Sequence, residues 1–374
     1  MTIGIDASPA ARKEKTGVEW YTYHLLHQFA LQDTMNNYIL YTSNPFPDDE
    51  KSFFPKNFTE KILHSPTKWF WPQTRLTWNL LASGHQRPDV WFSPADALPL
   101  IQSKKIITTI HDVGFIPYKD IYEWKRQQYL YWTTRNAVKR AHIIITISEF
   151  TKSEIIKYYH VDPTRIVVVP LGFDAGVYTP ASDSTTIADA LVLRQWDLIP
   201  KNYILTISPL EHKKNVPTLI DAFSVVKERF PDLKLVIAGK PRLATRAIEE
   251  KIINSRYKDD ILSLGWVDQD QQIALLRNAA VFSFPSFYEG FGLPIIEAQS
   301  CHVPVVASYT ASLPEVGGGG ALYHNVHSSE DLAEKLNRLM NDSVLRQDLI
   351  IKGLENIKRF SWEKCAKKTL ELLT

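Results

Sequence analysis

The sequence predicts an α/β protein built from two doubly wound parallel sheets. Three observations carry this. Short β-rich runs are apolar on both faces, as a parallel sheet covered by helices requires. They alternate with longer helical patterns, which is the signature of βαβ units. They also fall into two sets of six with a break between them.

The first set is Ile3-Gly4-Ile5, Tyr38–Tyr41, Val90–Phe92, Ile106–Ile110, Ile143–Ile147 and Ile166–Val169. The second is Tyr203–Ile207, Leu235–Ala238, Ile261–Leu264, Val281–Phe284, Val305–Ala307 and, more weakly, Ala321–Tyr323. Between the sets, Pro170-Leu171-Gly172-Phe173-Asp174 breaks the pattern. The small and polar residues 179–187 then read as a linker. The boundary is placed at 175/176. The last segment from Phe360 reads as an amphipathic helix, with Trp362, Cys365, Ala366, Leu370 and Leu373 at apolar spacing.

Length and composition agree with this architecture. The chain has 374 residues, so two domains are expected. With 44% hydrophobic and 22% charged residues, it is excluded from the disordered, collagenous and coiled-coil classes. Lys and Arg number 43 against 41 Asp and Glu, a balance that argues against a nucleic-acid partner. Two cysteines, Cys301 and Cys365, make no disulfide framework, so a reducing compartment is expected. No apolar stretch approaches the ~18 residues of a membrane span. The opening residues carry no basic segment followed by an apolar one, so no signal peptide is expected. The expectation is a cytoplasmic protein, with peripheral contact at the inner face of the membrane left open. The sequence is silent on oligomeric state.

Ligands bind at the carboxyl ends of such sheets, so the loops after the strands carry the chemistry. After Val281–Phe284 comes Pro285-Ser286-Phe287-Tyr288-Glu289-Gly290-Phe291-Gly292-Leu293-Pro294, then a helix holding Glu297. Glycines let the backbone approach a ligand, and a helix N-terminus attracts phosphate. Glu289 and Glu297 would repel a bare diphosphate, so they suit sugar and ribose hydroxyls. After Tyr203–Ile207 comes Ser208-Pro209-Leu210-Glu211-His212-Lys213-Lys214-Asn215. Adjacent lysines there can neutralise a leaving diphosphate without a metal. Lys214 is the preferred one. His111-Asp112 directly follows the strand Ile106–Ile110, placed to touch a reacting group or to cap the turn. Gly17 lies between the first strand and the first helix, where a ligand can come close.

These residues resemble a known family. The strings "FPSFYEGFGLPIIEA", with its Glu-x7-Glu, "ISPLEHKKN", "TIHDVGF", "ITISEFTKSEI", "VVVPLGFD" and "TGVEWYTYHLL" look like family 4 of the retaining glycosyltransferases, which have the GT-B fold. The likeness runs from Gly17 to Phe360. His111-Asp112 and the "TRLTW" region resemble the mannosyltransferase-like branch.

The resemblance implies that residues 1–175, with the helix 360–374 packing back on them, form a Rossmann-like acceptor-binding domain. Residues 176–359 would form a Rossmann-like nucleotide-sugar-binding domain. Catalysis would rest on His111, Glu289 and Lys214. The donor, of the GDP-mannose or UDP-glucose type, would be held by Gly17, Ser208, Lys213, Lys214, Val267, Gly290, Phe291, Gly292, Leu293 and Glu297. No metal and no cofactor beyond this co-substrate is implied. The acceptor would be a glycan or a lipid-linked saccharide. Two alternatives are a nucleotide-sugar epimerase on the same fold and a non-catalytic sugar-nucleotide-binding subunit.

The chain departs from the family pattern at three places. Glycine is often found where Ser208 and His302 stand, and Arg-Lys is usual where Lys213-Lys214 stand. Lys213 cannot make the bidentate fork of arginine. Other signals compete for attention. Asp268-Gln269-Asp270 has metal-motif spacing, but N-capping of a following helix explains it better. His24 and His27 lack a zinc-spaced partner set. Gly317–Gly320 is expected to be a flexible loop. Seven of the ten tryptophans fall between Trp20 and Trp132, and Trp69, Phe70, Trp71, Arg75 and Trp78 cluster. Trp71, Arg75 and Trp78, with Asp112, are the candidates for an acceptor platform.

Overall fold

In the computed structural model, the residues described are 1–374 apart from 14, 65–69, 85–86, 102, 120–121 and 243. Trp69 of the aromatic cluster lies outside the described residues. The first sheet contains β1 (Thr2–Asp6), β2 (Asn37–Thr42), β3 (Phe58–Ile62), β4 (Val90–Ser93), β5 (Lys105–Ile110), β6 (Ile143–Thr146) and β7 (Ile166–Val168). The second contains β8 (Tyr203–Ile207), β9 (Lys234–Ala238), β10 (Ile261–Gly265), β11 (Val281–Phe284), β12 (Val305–Ser308) and β13 (Ala321–His324). Their orders are 3-2-1-4-5-6-7 and 10-9-8-11-12-13, all parallel. Both sheets are therefore of the doubly wound α/β kind that the apolar runs predict.

Two elements differ from expectation. Strand β3 (FTEKI) is an edge strand pairing only with β2, and its residues are half-buried or exposed. An edge strand needs no continuous apolar run, so it left no signal. The expected linker contains the start of a helix, Asp183–Arg194, entered through a reciprocal Ser182/Thr185 cap. The Ser-x-x-Thr spacing satisfies orphan N–H groups at the helix start, which turns a polar tract into a helix N-terminus.

The chain divides into two compact units, Met1–Gly172 with Phe360–Thr374, and Phe173–Arg359. In the first, helix Gly17–Gln32 is entered by the Thr16/Glu19 capping box and buries Tyr21, Leu25, Leu26 and Phe29 against the sheet. The closing helix Trp362–Leu373 lies on it. His24 stacks on Trp362 at 4.6 Å, and Lys368 Nζ donates to the Val168 carbonyl at 2.6 Å. His27 Nδ1 bonds the Tyr23 carbonyl at 2.9 Å, so both histidines serve packing. Among the described residues, no helix is long and apolar enough to cross a membrane.

In the second unit, the expected glycine loop is a packed turn. Gly317 ends helix Leu313–Gly317, and Gly318–Gly320 form a 3₁₀ turn against helix Ser343–Ile357. A Cβ at Gly320 would lie 2.5 Å from the Gly353 Cα, so Gly320 is what lets the two backbones approach. Gln299 Nε2 donates to the Gly317 carbonyl at 2.8 Å, and Asn356 Nδ2 donates to Gln299 Oε1 at 2.9 Å.

Helix Leu293–Ser300 ends in a Schellman turn. The Val303 amide donates to the Ala298 carbonyl at 3.0 Å and the His302 amide to the Gln299 carbonyl at 3.1 Å. His302 sits at φ 58°, the left-handed position that glycine fits without strain. His302→Gly is expected to stabilise this unit by about 1 kcal/mol, a rise in melting temperature of roughly 2–4 °C. Thermal denaturation checks it, and a fall would show that the imidazole contributes more than the strain costs.

Candidate functional site

In the second sheet the chain runs outward from β8 through β9 to β10, then returns to β11 on the other side of β8. The switch point lies between β8 and β11, so the loops that follow these two strands flank the crevice where such sheets bind ligands. They are joined directly: the Phe287 amide donates to the Lys213 carbonyl at 2.7 Å. Residues after β12 hold the second loop. Thr310 Oγ1 donates to the Phe287 carbonyl at 3.3 Å, and Ser312 Oγ donates to the carbonyls of Glu289 and Phe291 at 2.9 and 2.7 Å. Gly292, at φ 114°, then starts helix Leu293–Ser300. Few other residues adopt that conformation, and a Cβ would also meet Leu313 Cδ2 at 2.8 Å.

Lys214 and Glu289, 75 residues apart, meet here. Lys214 Nζ lies 2.5 Å from Glu289 Oε1, both side chains are about nine-tenths buried, and the ammonium also sits 5.3 Å from the Phe284 ring centre. Burial would raise the Glu289 carboxyl, but the charges of Lys214 and Lys213 outweigh it and hold the group below its ordinary value. Glu289 is therefore a carboxylate at neutral pH, paired with the Lys214 side chain beside the N-terminus of a helix. An anionic ligand placed there would find one fixed cation and the positive end of the helix dipole.

Glu297 lies one turn further on. Gln272 Nε2 donates to Glu297 Oε2 at 3.2 Å and to the Tyr178 hydroxyl oxygen at 3.2 Å. Burial pushes the Glu297 carboxyl up to about 7, against a smaller lowering by Tyr178. Tyr178 and Gln272 are site residues that the sequence analysis missed. Gln272 stands on helix Gln269–Asn278, read only for its capping. Ser208 is buried at the end of β8 with its amide donating to the Ala238 carbonyl at 2.9 Å. The Val267 side chain belongs to the hydrophobic core. Asp268 caps helix Gln269–Asn278, accepting from the Gln271 amide at 2.9 Å. Among the described residues, no three His, Cys, Asp or Glu stand together as a metal site.

In the first sheet the switch point lies between β1 and β4. His111 follows the neighbouring β5. Its Nε2 donates to the Pro94 carbonyl at 2.8 Å, which leaves Nδ1 as the acceptor of a neutral ring, and burial lowers its basicity. The ring stands edge-on to Tyr21 at 4.9 Å, whose hydroxyl bonds Thr109 Oγ1 at 2.9 Å. Asp112 Oδ1 accepts from the Gly114 amide at 2.9 Å and so shapes its own turn. Gly17 is the first residue of its helix, and a Cβ there would meet nothing within 4 Å. Asp6, at the end of β1, is a further candidate that the sequence analysis missed. It is buried, accepts from the Ser8 amide at 3.1 Å, and burial pushes its carboxyl up to about 7.

The acceptor platform expected of Trp71, Arg75 and Trp78 does not form as one face. Trp71 is only 4% exposed, packs in the first unit's core, and donates from Nε1 to the Leu63 carbonyl at 2.8 Å. Arg75 and Trp78 face outward. The intervening Pro72–Leu76 is a π-helical turn, with the Leu76 amide donating to the Trp71 carbonyl at 3.1 Å. The wider turn rotates Trp71 away from the stripe that α-helical spacing would give.

Comparison with known proteins agrees with this fold. A family model described as glycosyl transferases group 1 matches residues 195–355, and one described as Glycosyltransferase Family 4 matches residues 15–177. The chain belongs to glycosyltransferase family 4. This glycosyltransferase is 27% identical over 369 residues to the O-antigen chain mannosyltransferase B of Escherichia coli, covering 95% of each chain. It is 25% identical over 301 residues to the E. coli serotype-specific mannosyltransferase WbdA, covering 78% of this chain and 35% of that protein. Sucrose-phosphate synthase from Thermosynechococcus elongatus shares the fold of this glycosyltransferase at a TM-score of 0.77 and 18% identity, over 99% and 98% of the two chains. Anabaena Alr3699/HepE, solved with UDP and glucose, does so at 0.74 and 16%, over 100% and 98%.

Proposed function

We propose that this glycosyltransferase moves a sugar from a nucleoside diphosphate sugar to a hydroxyl of a glycan or lipid-linked saccharide, retaining the anomeric configuration and using no metal or other cofactor. The observation that carries the reading is the buried Lys214–Glu289 pair beside the helix N-terminus at the second sheet's switch point. Mannose is the preferred sugar, after the mannosyltransferase relatives, with a UDP-glucose-type donor next.

Lys214 and Lys213, with the amides of Gly290, Phe291, Gly292 and Leu293, take the diphosphate, and Ser208 lies beside it. The bond from the sugar's anomeric carbon to the diphosphate oxygen breaks as charge builds on that oxygen, and fixed cations and amides stabilise this charge most when it is greatest. The acceptor oxygen bonds to the anomeric carbon on the same face, and its proton passes to the departing diphosphate. Glu289 orients the donor sugar's hydroxyls, and Glu297 accepts from the ribose diol. The Val267 backbone meets the base. On the first unit, Gly17 leaves room for close approach, and the neutral His111 offers Nδ1 to a sugar hydroxyl.

A thermal-shift panel of nucleotide sugars tests the reading. A donor at 100-fold its Kd stabilises the folded state by about 2.7 kcal/mol. One nucleotide sugar is expected to raise the melting temperature in chelator as well as without it. No shift with any of them overturns the reading, and a shift that needs added metal overturns its metal-free part. An inverted anomeric carbon in the NMR spectrum of the product overturns retention.

Glu297 sets a pH dependence. With its carboxyl near 7, the protonated form prevails below that value and cannot accept from both ribose hydroxyls. Donor affinity is expected to rise about tenfold from about pH 6 to about pH 8. Glu297→Gln is expected to weaken binding and flatten the profile. Calorimetric titration at both pH values checks this, and an unchanged slope in the variant would remove Glu297 from the ribose site.

A further inference from the structure

We infer that a row of aromatic rings on the outer face of helix Gly17–Gln32, in the first unit, is a binding track for an extended, neutral glycan chain. Trp20, Tyr23, His24 and His27 fall within about 100° of the helix circumference. Glu19 is the only Asp, Glu, Lys or Arg in the helix, and it is buried and bonded to Arg12 and Thr16. The rings touch in sequence. Trp20 stands edge-on to Tyr23 at 5.4 Å and stacks on His24 at 5.5 Å, and His24 stacks on Trp362. Tyr23 meets His27 at 3.9 Å, and His27 meets Phe53 at 4.2 Å. Trp20 and Phe53, on either side of Tyr23 and His27, are 41% and 40% exposed.

A helix that merely faces water turns charged side chains outward, not rings. The chemistry of this row suits sugars. A pyranose is apolar on its C–H faces and polar around its rim, and five of these six rings likewise join an apolar face to a polar edge atom. The row also carries little charge. Lys15 Nζ lies 5.0 Å from the Tyr23 ring centre and 5.7 Å from that of Trp20, but it is paired with Glu50 Oε1 at 2.8 Å. Burial lowers the basicity of His27, so its ring is neutral at pH 7. Exposed Asp48 and Asp49 stand on the short helix that leads to Phe53, and the charge of Asp49 reaches the Tyr23 phenol. A neutral saccharide is accepted there, whereas a phosphate-bearing lipid or nucleic acid would be repelled.

The row starts at the crevice of the first sheet. The helix follows β1, which borders the switch point, and Trp20 lies one turn along from Gly17, where a ligand can come close. His27 lies about 10 Å beyond Trp20 along the helix axis. A single sugar cannot span that length, and a chain of several can. The track therefore holds the part of an acceptor that is already built, while the end to be extended lies at the carboxyl edge of the sheet. The inference rests on the glycan acceptor of the proposed function and adds that affinity grows with acceptor length.

Calorimetric titration of the full chain with linear oligosaccharides, without donor, tests it. Mannohexaose and maltohexaose are the long probes, and mannobiose and maltose the short ones. At least one hexasaccharide is expected to bind about tenfold more tightly than its disaccharide. Trp20→Ala is expected to weaken hexasaccharide binding about tenfold, as loss of one stacked ring does. Phe53→Ala is expected to weaken it too, and Trp20→Phe, which keeps a ring face, to retain most of it. Disaccharide binding and nucleotide-sugar responses are expected to match the wild type in all three variants, which shows that they fold. No hexasaccharide binding, or wild-type binding by both alanine variants, overturns the inference, and a surviving donor response leaves the transferase reading in place. Hexasaccharide binding that depends on Trp20, in a chain that responds to no nucleotide sugar, overturns the transferase reading and keeps the track. Binding to phosphatidylcholine vesicles that Trp20→Ala abolishes overturns the inference in favour of a lipid face.

Discussion

Lys214→Ala is expected to lower kcat by about 10²–10³ with donor saturating, because on the proposed reading it removes a buried cation that meets the charge growing on the leaving diphosphate. A donor Kd that rises together with the fall in kcat would show that the lysine holds the diphosphate in the ground state too. An unchanged kcat would take Lys214 out of the site. The same substitution also acts on the fold. It strands Glu289, whose side chain is about nine-tenths buried, and breaking such a pair from one side costs about 3 kcal/mol or more.

The sign of the pH dependence separates the two effects. In the wild type, the Glu289 carboxyl is held below its ordinary value of 4.5, so its contribution to stability is present above 4.5 and is lost as pH falls through the lower, folded value. In the variant, burial acts without the lysine's opposing charge and favours the protonated carboxyl. The stability deficit of Lys214→Ala is therefore expected to be largest at neutral and alkaline pH and to shrink toward acid. Melting curves across pH measure this, while kcat at a temperature well below both transitions isolates the catalytic loss. A deficit that stays constant from acid to alkaline pH would mean that the ion pair does not stabilise the fold.

Trp71→Ala is expected to destabilise the first unit by about 3–5 kcal/mol, and Trp78→Ala by less than about 0.5 kcal/mol. The first leaves a large cavity among Leu76, Leu80 and Trp91 and strips the Leu63 carbonyl of its indole donor. The second removes a ring that is 65% exposed. For a unit of this size the difference corresponds to roughly 10 °C in melting temperature. Equal effects from the two substitutions would contradict the inward rotation of Trp71. If Trp78 binds the acceptor, its loss raises the acceptor KM without touching stability. Trp71→Ala has no such signature.

The two sheets were readable because a parallel strand with helices on both faces must be apolar all along, and twelve of the thirteen described strands announce themselves in that way. Strand β3 escaped because an edge position tolerates Thr59, Glu60 and Lys61. The stretch from Glu289 to Glu297 was readable for a related reason: a glycine loop and a proline-led helix after a buried strand have few structural explanations. Local capping was equally legible at Asp268, where the bonds that explain the motif reach only three residues along the chain.

By itself, then, the sequence determined the doubly wound architecture, the loops that bear the chemistry and the family to which the chain belongs, since each is written in residues that are neighbours along the chain. Three matters were left to the tertiary structure. These are the meeting of Lys214 with Glu289, the hold of Tyr178 and Gln272 on Glu297, and the inward turn of Trp71. The physical reason is common to them. An ion pair between distant loops is created by strand order, and the facing of a side chain depends on the phase of its helix, which a single wider turn at Pro72–Leu76 is enough to shift.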